Sequence, residues 1–222
     1  MTFSDRVLKY YGNLNVKGTI PDGIQVMNPY MQDDVMAICK EFYNKYYNDE
    51  KGRRIIIGIN PGRHGAGITG IPFTDPVALQ EQCGIENSFP KRKELSSEFI
   101  YMLINRMGGP DQFYKHYFIG SVSSLGFVKD GKNFNYYDTN SFYRFIKPTL
   151  ISNLIDQIGL GIVSRKCYCL GQGKNYEFMN MLNAELNLFD SIIPLPHPRW
   201  VMQYRRKKVN EIINQIIDKL IY

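Results

Sequence analysis

The stretch from residue 52 to 59, Gly-Arg-Arg-Ile-Ile-Ile-Gly-Ile, constrains the fold more than any other in the chain. Successive side chains of a strand point to opposite faces, so a run of β-branched residues makes both faces apolar. Such a strand is buried on both sides, as in a parallel sheet with helices covering each face. Residues 116–127 read as a second strand running into a polar loop, 162–171 as a third and 191–195 as a fourth. Amphipathic helices separate them. Residues 33–47 place Val35, Ile38, Cys39 and Phe42 at i, i+3, i+4 and i+7, and residues 96–107 place Phe99, Met102, Leu103 and Met107 on one face ahead of Gly108-Gly109-Pro110. A helix from about 148 to 158 carries Leu150, Ile151, Leu154 and Ile155, and the last helix has a broad stripe from Val209 to Leu220. Residues 129–138 read as a loop or a hairpin. The alternation predicts an α/β fold in three layers, α/β/α, around a central, mainly parallel four-stranded sheet, as one domain over residues 1–222.

With 222 residues, 44% of them hydrophobic, the chain is long enough to bury a sizeable core. No run approaches the roughly 18 apolar residues of a membrane span, and the N-terminal stretch has no apolar signal core, so a cytoplasmic protein is expected. The four cysteines form no CxxC pair, and only three histidines are present. Cys167 and Cys169 are read as reduced core residues and His116 as structural, and neither a metal nor a cofactor is expected. The net charge of +6 suits a polyanionic partner, most locally at Lys91-Arg92-Lys93 and at Arg205-Arg206-Lys207-Lys208.

In open parallel sheets the functional loops leave the carboxyl ends of the strands. Here those are residues 60–76, 121–127, 171–174 and 196–200. They contain no phosphate-cradling GxxxxGK[ST], no GxSxG elbow and no paired carboxylates. What remains is Asn60, Phe73, Ser121 and His197: an amide, an aromatic face, a hydroxyl and an imidazole. The set is poor for nucleophilic catalysis. It suits a dissociative hydrolysis of an N-glycosidic bond, in which the sugar becomes oxocarbenium-like, the base leaves as an anion and water adds afterwards.

The segment Gly58-Ile59-Asn60-Pro61-Gly62, followed after a glycine-rich turn by Thr69-Gly70-Ile71-Pro72-Phe73, resembles the first motif of the single-strand-selective monofunctional uracil-DNA glycosylases, in the uracil-DNA glycosylase superfamily. Val26-Met27-Asn28-Pro29 is similar to an upstream segment of that family, and residues 96–127 follow its pattern of helix, turn, strand and polar loop. The resemblance spans roughly residues 24–200. It implies that Asn60 positions the attacking water, that Phe73 stacks on an extruded base, and that the turn from Gly62 to Ala66 brings backbone N–H groups to the base or a phosphate. It implies that His197 donates a hydrogen bond to O2 of the departing uracil, and that Arg199 and Trp200 belong to a loop that wedges into DNA. His64 and Lys174 would touch phosphate, and Arg205, Arg206 and Lys207 would neutralise phosphates beside the bound strand. Two positions depart from the family. Ser121 stands where the family has a base-reading asparagine, and the second motif, His197-Pro198-Arg199, is two residues shorter. The expected function is a monofunctional glycosylase that removes uracil flipped out of single- or double-stranded DNA, acting as a monomer and starting base excision repair, without a lyase step. Two alternatives stay open: a glycosylase for deaminated purines such as xanthine or hypoxanthine, and a damaged-DNA-binding module without catalysis.

Overall fold

The computed structural model describes residues 1–221. The run at 53–58 forms β2 (Arg53–Gly58) of a four-stranded parallel sheet, preceded by α1 (Phe3–Gly12), β1 (Ile24–Met27) and α2 (Asp33–Tyr47). After it come the short α3 (Ala66–Thr69) and α4 (Pro76–Glu81), then α5 (Leu95–Arg106), α6 (Pro110–His116) and β3 (Tyr117–Ser121). A hairpin of β4 (Gly126–Lys129) and β5 (Lys132–Phe134) leads into α7 (Asn140–Gly159) and β6 (Ile162–Leu170). The chain ends with α8 (Lys174–Leu186), β7 (Ser191–Leu195), α9 (Pro198–Tyr204) and α10 (Val209–Ile221).

The sheet order is β3-β2-β6-β7, with every pairing parallel, and helices flank the sheet. β2 is central, Ile55 lying opposite Phe118 on one side and Cys167 on the other, and Ile55, Ile56 and Ile57 are buried. The strand differs from a purely apolar one at its start. Arg53 is completely buried, its guanidinium bonded to both carboxylate oxygens of Asp49 at 2.9 and 3.0 Å and to the carbonyl of Tyr114 at 2.8 Å. A planar cation with that many acceptors is satisfied inside the protein, whereas Arg54 points out and donates to the carbonyl of Leu220. Cys167 and Cys169 are free and buried, as expected.

Residues 116–127 begin as a strand and run into a loop, as expected. β3 stops at Ser121, and the chain crosses into a separate antiparallel sheet of order β1-β4-β5. The crossing requires Gly126: a Cβ there would lie 2.2 Å from Cε of Met27 and 2.9 Å from the carbonyl of Pro61. Of the two readings of 129–138, the hairpin is the one adopted, as β5 pairs with β4. The helix expected from about 148 starts instead at Asn140, capped by Thr139, whose hydroxyl accepts from the amide of Phe142. Pro148 lies inside it, and burial of Phe142, Ile146, Leu150 and Leu154 on both sides of the proline offsets the lost backbone bond. α1, absent from the sequence reading, is held by a capping box of Thr2 and Asp5 and buries Phe3, Val7, Tyr10 and Tyr11. No helix among the described residues is long and apolar enough to cross a membrane.

Candidate active site

Because all four strands of the main sheet run parallel, the loops following Gly58, Ser121, Leu170 and Leu195 meet at one edge. They surround a cavity of about 620 Å³. The first loop contributes Asn60, Gly62, Ala66 and Phe73 to its wall, and the others contribute Ser121, Lys174 and His197. Arg199 and Trp200 also face it. They do so from the first turn of α9, not from a loop: Pro198 occupies the first helical position, where its missing N–H costs nothing, and His197 is the residue just before the helix.

Asn60 is oriented through its amide nitrogen. Nδ2 donates to the carbonyl of Phe134 at 3.3 Å and to that of Pro61 at 3.5 Å, and Oδ1 is buried and without a hydrogen-bond partner among the described residues. A buried acceptor in that condition is costly unless a ligand or water supplies the proton. Phe73 adopts φ 54°, a left-handed conformation rare for an aromatic residue, and its ring lies against Gly58. A Cβ at Gly58 would sit 2.7 Å from that ring, so the glycine lets the phenyl group reach over the strand end.

Ser121 is clamped through its backbone. Its amide donates to Oε1 of Gln157 at 3.3 Å, and Nε2 of Gln157 donates to its carbonyl at 2.9 Å. A Cβ at the neighbouring Gly120 would meet Oε1 of Gln157 at 2.1 Å, so only glycine admits the amide. The Ser121 hydroxyl has no hydrogen-bond partner among the described residues. His197 likewise makes no side-chain hydrogen bond; burial pushes its pKa down to about 4, with the positive charge of Arg199 acting in the same direction. Its imidazole is therefore neutral at neutral pH and offers one N–H donor.

Glu94 is part of the cavity wall and was not foreseen. Its carboxylate covers the glycine turn so closely that a Cβ at Gly62 or Gly65 would lie 2.9 or 2.3 Å from an oxygen. Burial raises its pKa; nearby Arg199 and Arg92 oppose the rise and Asp75 adds to it. The Glu94 amide donates to Oδ2 of Asp75 at 2.8 Å, which sets where the side chain starts. The turn below it spends two amides on its own fold, Gly65 and Gly67 both donating to the carbonyl of Gly62, and Arg63 donates to Asn133. Among the described residues, the amides of His64 and Ala66 have no such acceptor. Asn133, Asn135 and Tyr137, from the hairpin and the segment after it, complete one wall and were also missed. No spacing in the sequence marks them, because they reach the site only through the second sheet.

Of the remaining predicted residues, Lys174 lies on the cavity wall, and His64, Arg205, Arg206 and Lys207 lie outside it. His64 is partly buried in the first loop, its pKa lowered by burial and by Arg92, Arg63 and Arg199. The ammonium of Lys174 sits over the ring of Tyr137 at 5.7 Å, at the cavity edge. Arg205 stacks its guanidinium on Trp200 at 4.9 Å, Arg206 pairs with Glu98 at 3.0 Å, and Lys207 is exposed.

Residues 44–221 match the family model described as the uracil DNA glycosylase superfamily. The chain is also similar to a crystal structure of wild-type SMUG2 from Pedobacter heparinus, at 42% sequence identity and a TM-score of 0.95, over 99% of this chain and 97% of that one. No match is found among curated proteins. A four-stranded parallel sheet with its loops gathered around Asn60 and His197, and a family match over most of the length, place this chain in the uracil DNA glycosylase superfamily, as a DNA glycosylase whose partner is DNA.

Proposed function

We propose that the protein is a monofunctional glycosylase that hydrolyses the N-glycosidic bond of uracil flipped out of DNA. The observation that carries this reading is the buried, unpartnered Oδ1 of Asn60 at the cavity wall. A water bound there satisfies that oxygen and faces the space where C1′ of the extruded nucleotide would lie. The base stacks on Phe73. As the C1′–N1 bond breaks, its electron pair passes to the base, and the charge spreads to O2. The neutral imidazole of His197 donates a hydrogen bond to that oxygen, a contribution of about 10²–10³ in rate for a preorganised donor. The water then adds to C1′, and its proton leaves to solvent. The products are a free base and an abasic site, the entry point to base excision repair. No lysine amine is needed for the chemistry, so the strand stays intact.

Excision from oligonucleotides carrying a single uracil tests this reading. Release of uracil is expected, with strand breaks appearing only after alkali. Asn60→Ala and His197→Ala should each reduce the rate at least a hundredfold. Uracil release unchanged in both variants would overturn the assignment. A second reading has its own support in the Ser121 hydroxyl, which no group among the described residues engages. In place of an asparagine, a short rotor can serve either as donor or as acceptor, which suits the altered edge of a deaminated purine. Xanthine or hypoxanthine release without uracil release would favour it, and binding of damaged DNA without any release would favour a non-catalytic module.

A further inference from the structure

Most of the protein's aromatic side chains are buried, but two on α9 are not. Trp200 is 41% exposed and Tyr204 65% exposed, and both border the mouth of the cavity. Four residues apart on a helix, they share one face. Val201 and Met202, between them in sequence, are buried, so α9 is anchored on its inner side and presents the two rings outward. One face of Trp200 is covered by the guanidinium of Arg205, and the residue is still 41% exposed. Past Tyr204 the chain carries Arg205, Arg206, Lys207 and Lys208, all exposed, and Arg206 is partly neutralised by Glu98.

We infer that Trp200 and Tyr204 form a stacking platform for the bases of a single-stranded DNA segment next to the nucleotide in the cavity. Single-stranded DNA is favoured over a duplex because only unpaired, unstacked bases offer free faces to exposed rings. A nucleic acid is favoured over a peptide by the four cations that continue the aromatic row, since they match a phosphate backbone. The inference rests on the DNA glycosylase reading for the position of the target nucleotide. It adds Tyr204, a residue outside both sequence motifs, as a determinant of strand preference.

Trp200 is the only tryptophan in the chain, so its fluorescence reports on the platform without any need for catalysis. Titration with undamaged single-stranded oligonucleotides should quench it saturably, and a duplex of the same sequence should quench it less at equal concentration. Tyr204→Ala should weaken single-strand binding about 5- to 150-fold, the loss expected for one stacked base, and Tyr204→Phe should restore most of it. Oligonucleotides with abasic spacers beside the target position should bind the parent protein more weakly while leaving the affinity of Tyr204→Ala little changed. Equal quenching by duplex and single strand, or a Tyr204→Ala affinity within twofold of the parent, would overturn the platform. The two readings fail separately. Quenching with loss on Tyr204→Ala but no excision of any base keeps the platform and removes the proposed chemistry. Excision with no effect of Tyr204→Ala on binding does the reverse.

Discussion

At the scale of single residues, the site depends on groups whose polar atoms are held ready and left without protein partners. Asn60 is held by two bonds through Nδ2, and its oxygen is left without a partner among the described residues. Asn60→Ala should leave the melting temperature within a few degrees of the parent while removing excision; a loss of fold by circular dichroism would instead make the residue structural. His197 gives a prediction in pH. Its pKa is about 4 in the folded protein, against about 6.5 in an unfolded chain. Between those values the unfolded chain takes up a proton that the folded one refuses. The His197 contribution to stability is thus complete above about pH 6.5 and is lost as the pH falls toward 4, by at most about 3 kcal/mol. Denaturant titrations at pH 7 and pH 4.5 should show His197→Gln losing less stability on acidification than the parent. Equal losses would mean that the imidazole is not buried as described. The place of Asn60, Phe73 and His197 on the cavity wall was readable from the sequence because they sit in or next to strand-end motifs. Glu94 was not, since its carboxylate reaches the glycine turn only through packing of a distant segment.

At the scale of elements, the strand ends are positioned by caps and clamps that lie away from the cavity. Asp75 accepts from the amides of Val77 and Ala78 at the start of α4 with one oxygen, and from the amide of Glu94 with the other. Asp75→Ala should cost about 1–2 kcal/mol of stability, the range for a lost helix cap, and should also weaken DNA binding by freeing Glu94. Chemical denaturation beside an affinity measurement checks both effects. Gln157 on α7 does similar work for Ser121 from 36 residues away in sequence. Gln157→Leu should orphan two buried backbone groups and destabilise the fold by about 2–5 kcal/mol, read as a lower denaturation midpoint. Among the elements, long helices and apolar strands were readable from their periods. β1, β4 and β5 were not, because strands of three or four residues carry too little pattern to separate from a loop. The start of α7 was misplaced because a proline ordinarily marks a first helical turn, and here packing on both sides of Pro148 overrides that preference.

At the scale of the whole molecule, the net charge of +6 acts through its placement. Arg199, Lys174 and the cations after α9 lie at or beside the cavity mouth. Affinity for single-stranded DNA should therefore fall steeply with salt. Replacing Arg205 and Lys207 together by glutamine should reduce the slope of log affinity against log salt by about 1.4, at roughly 0.7 per phosphate contact. An unchanged slope would place the strand elsewhere.

The sequence by itself determined the parallel sheet, because β-branched runs apolar on both faces have no other stable environment in water. That in turn put the loops holding Asn60, Phe73, Ser121 and His197 at one edge, since parallel strands end on the same side. Only the tertiary structure decided what those loops face. The covering carboxylate of Glu94, the wall contributed by the second sheet, the clamp of Gln157 and the outward ring of Tyr204 all arise from residues far apart in the chain. Local pattern records which face of an element is apolar, and it is silent on which distant segment packs against it.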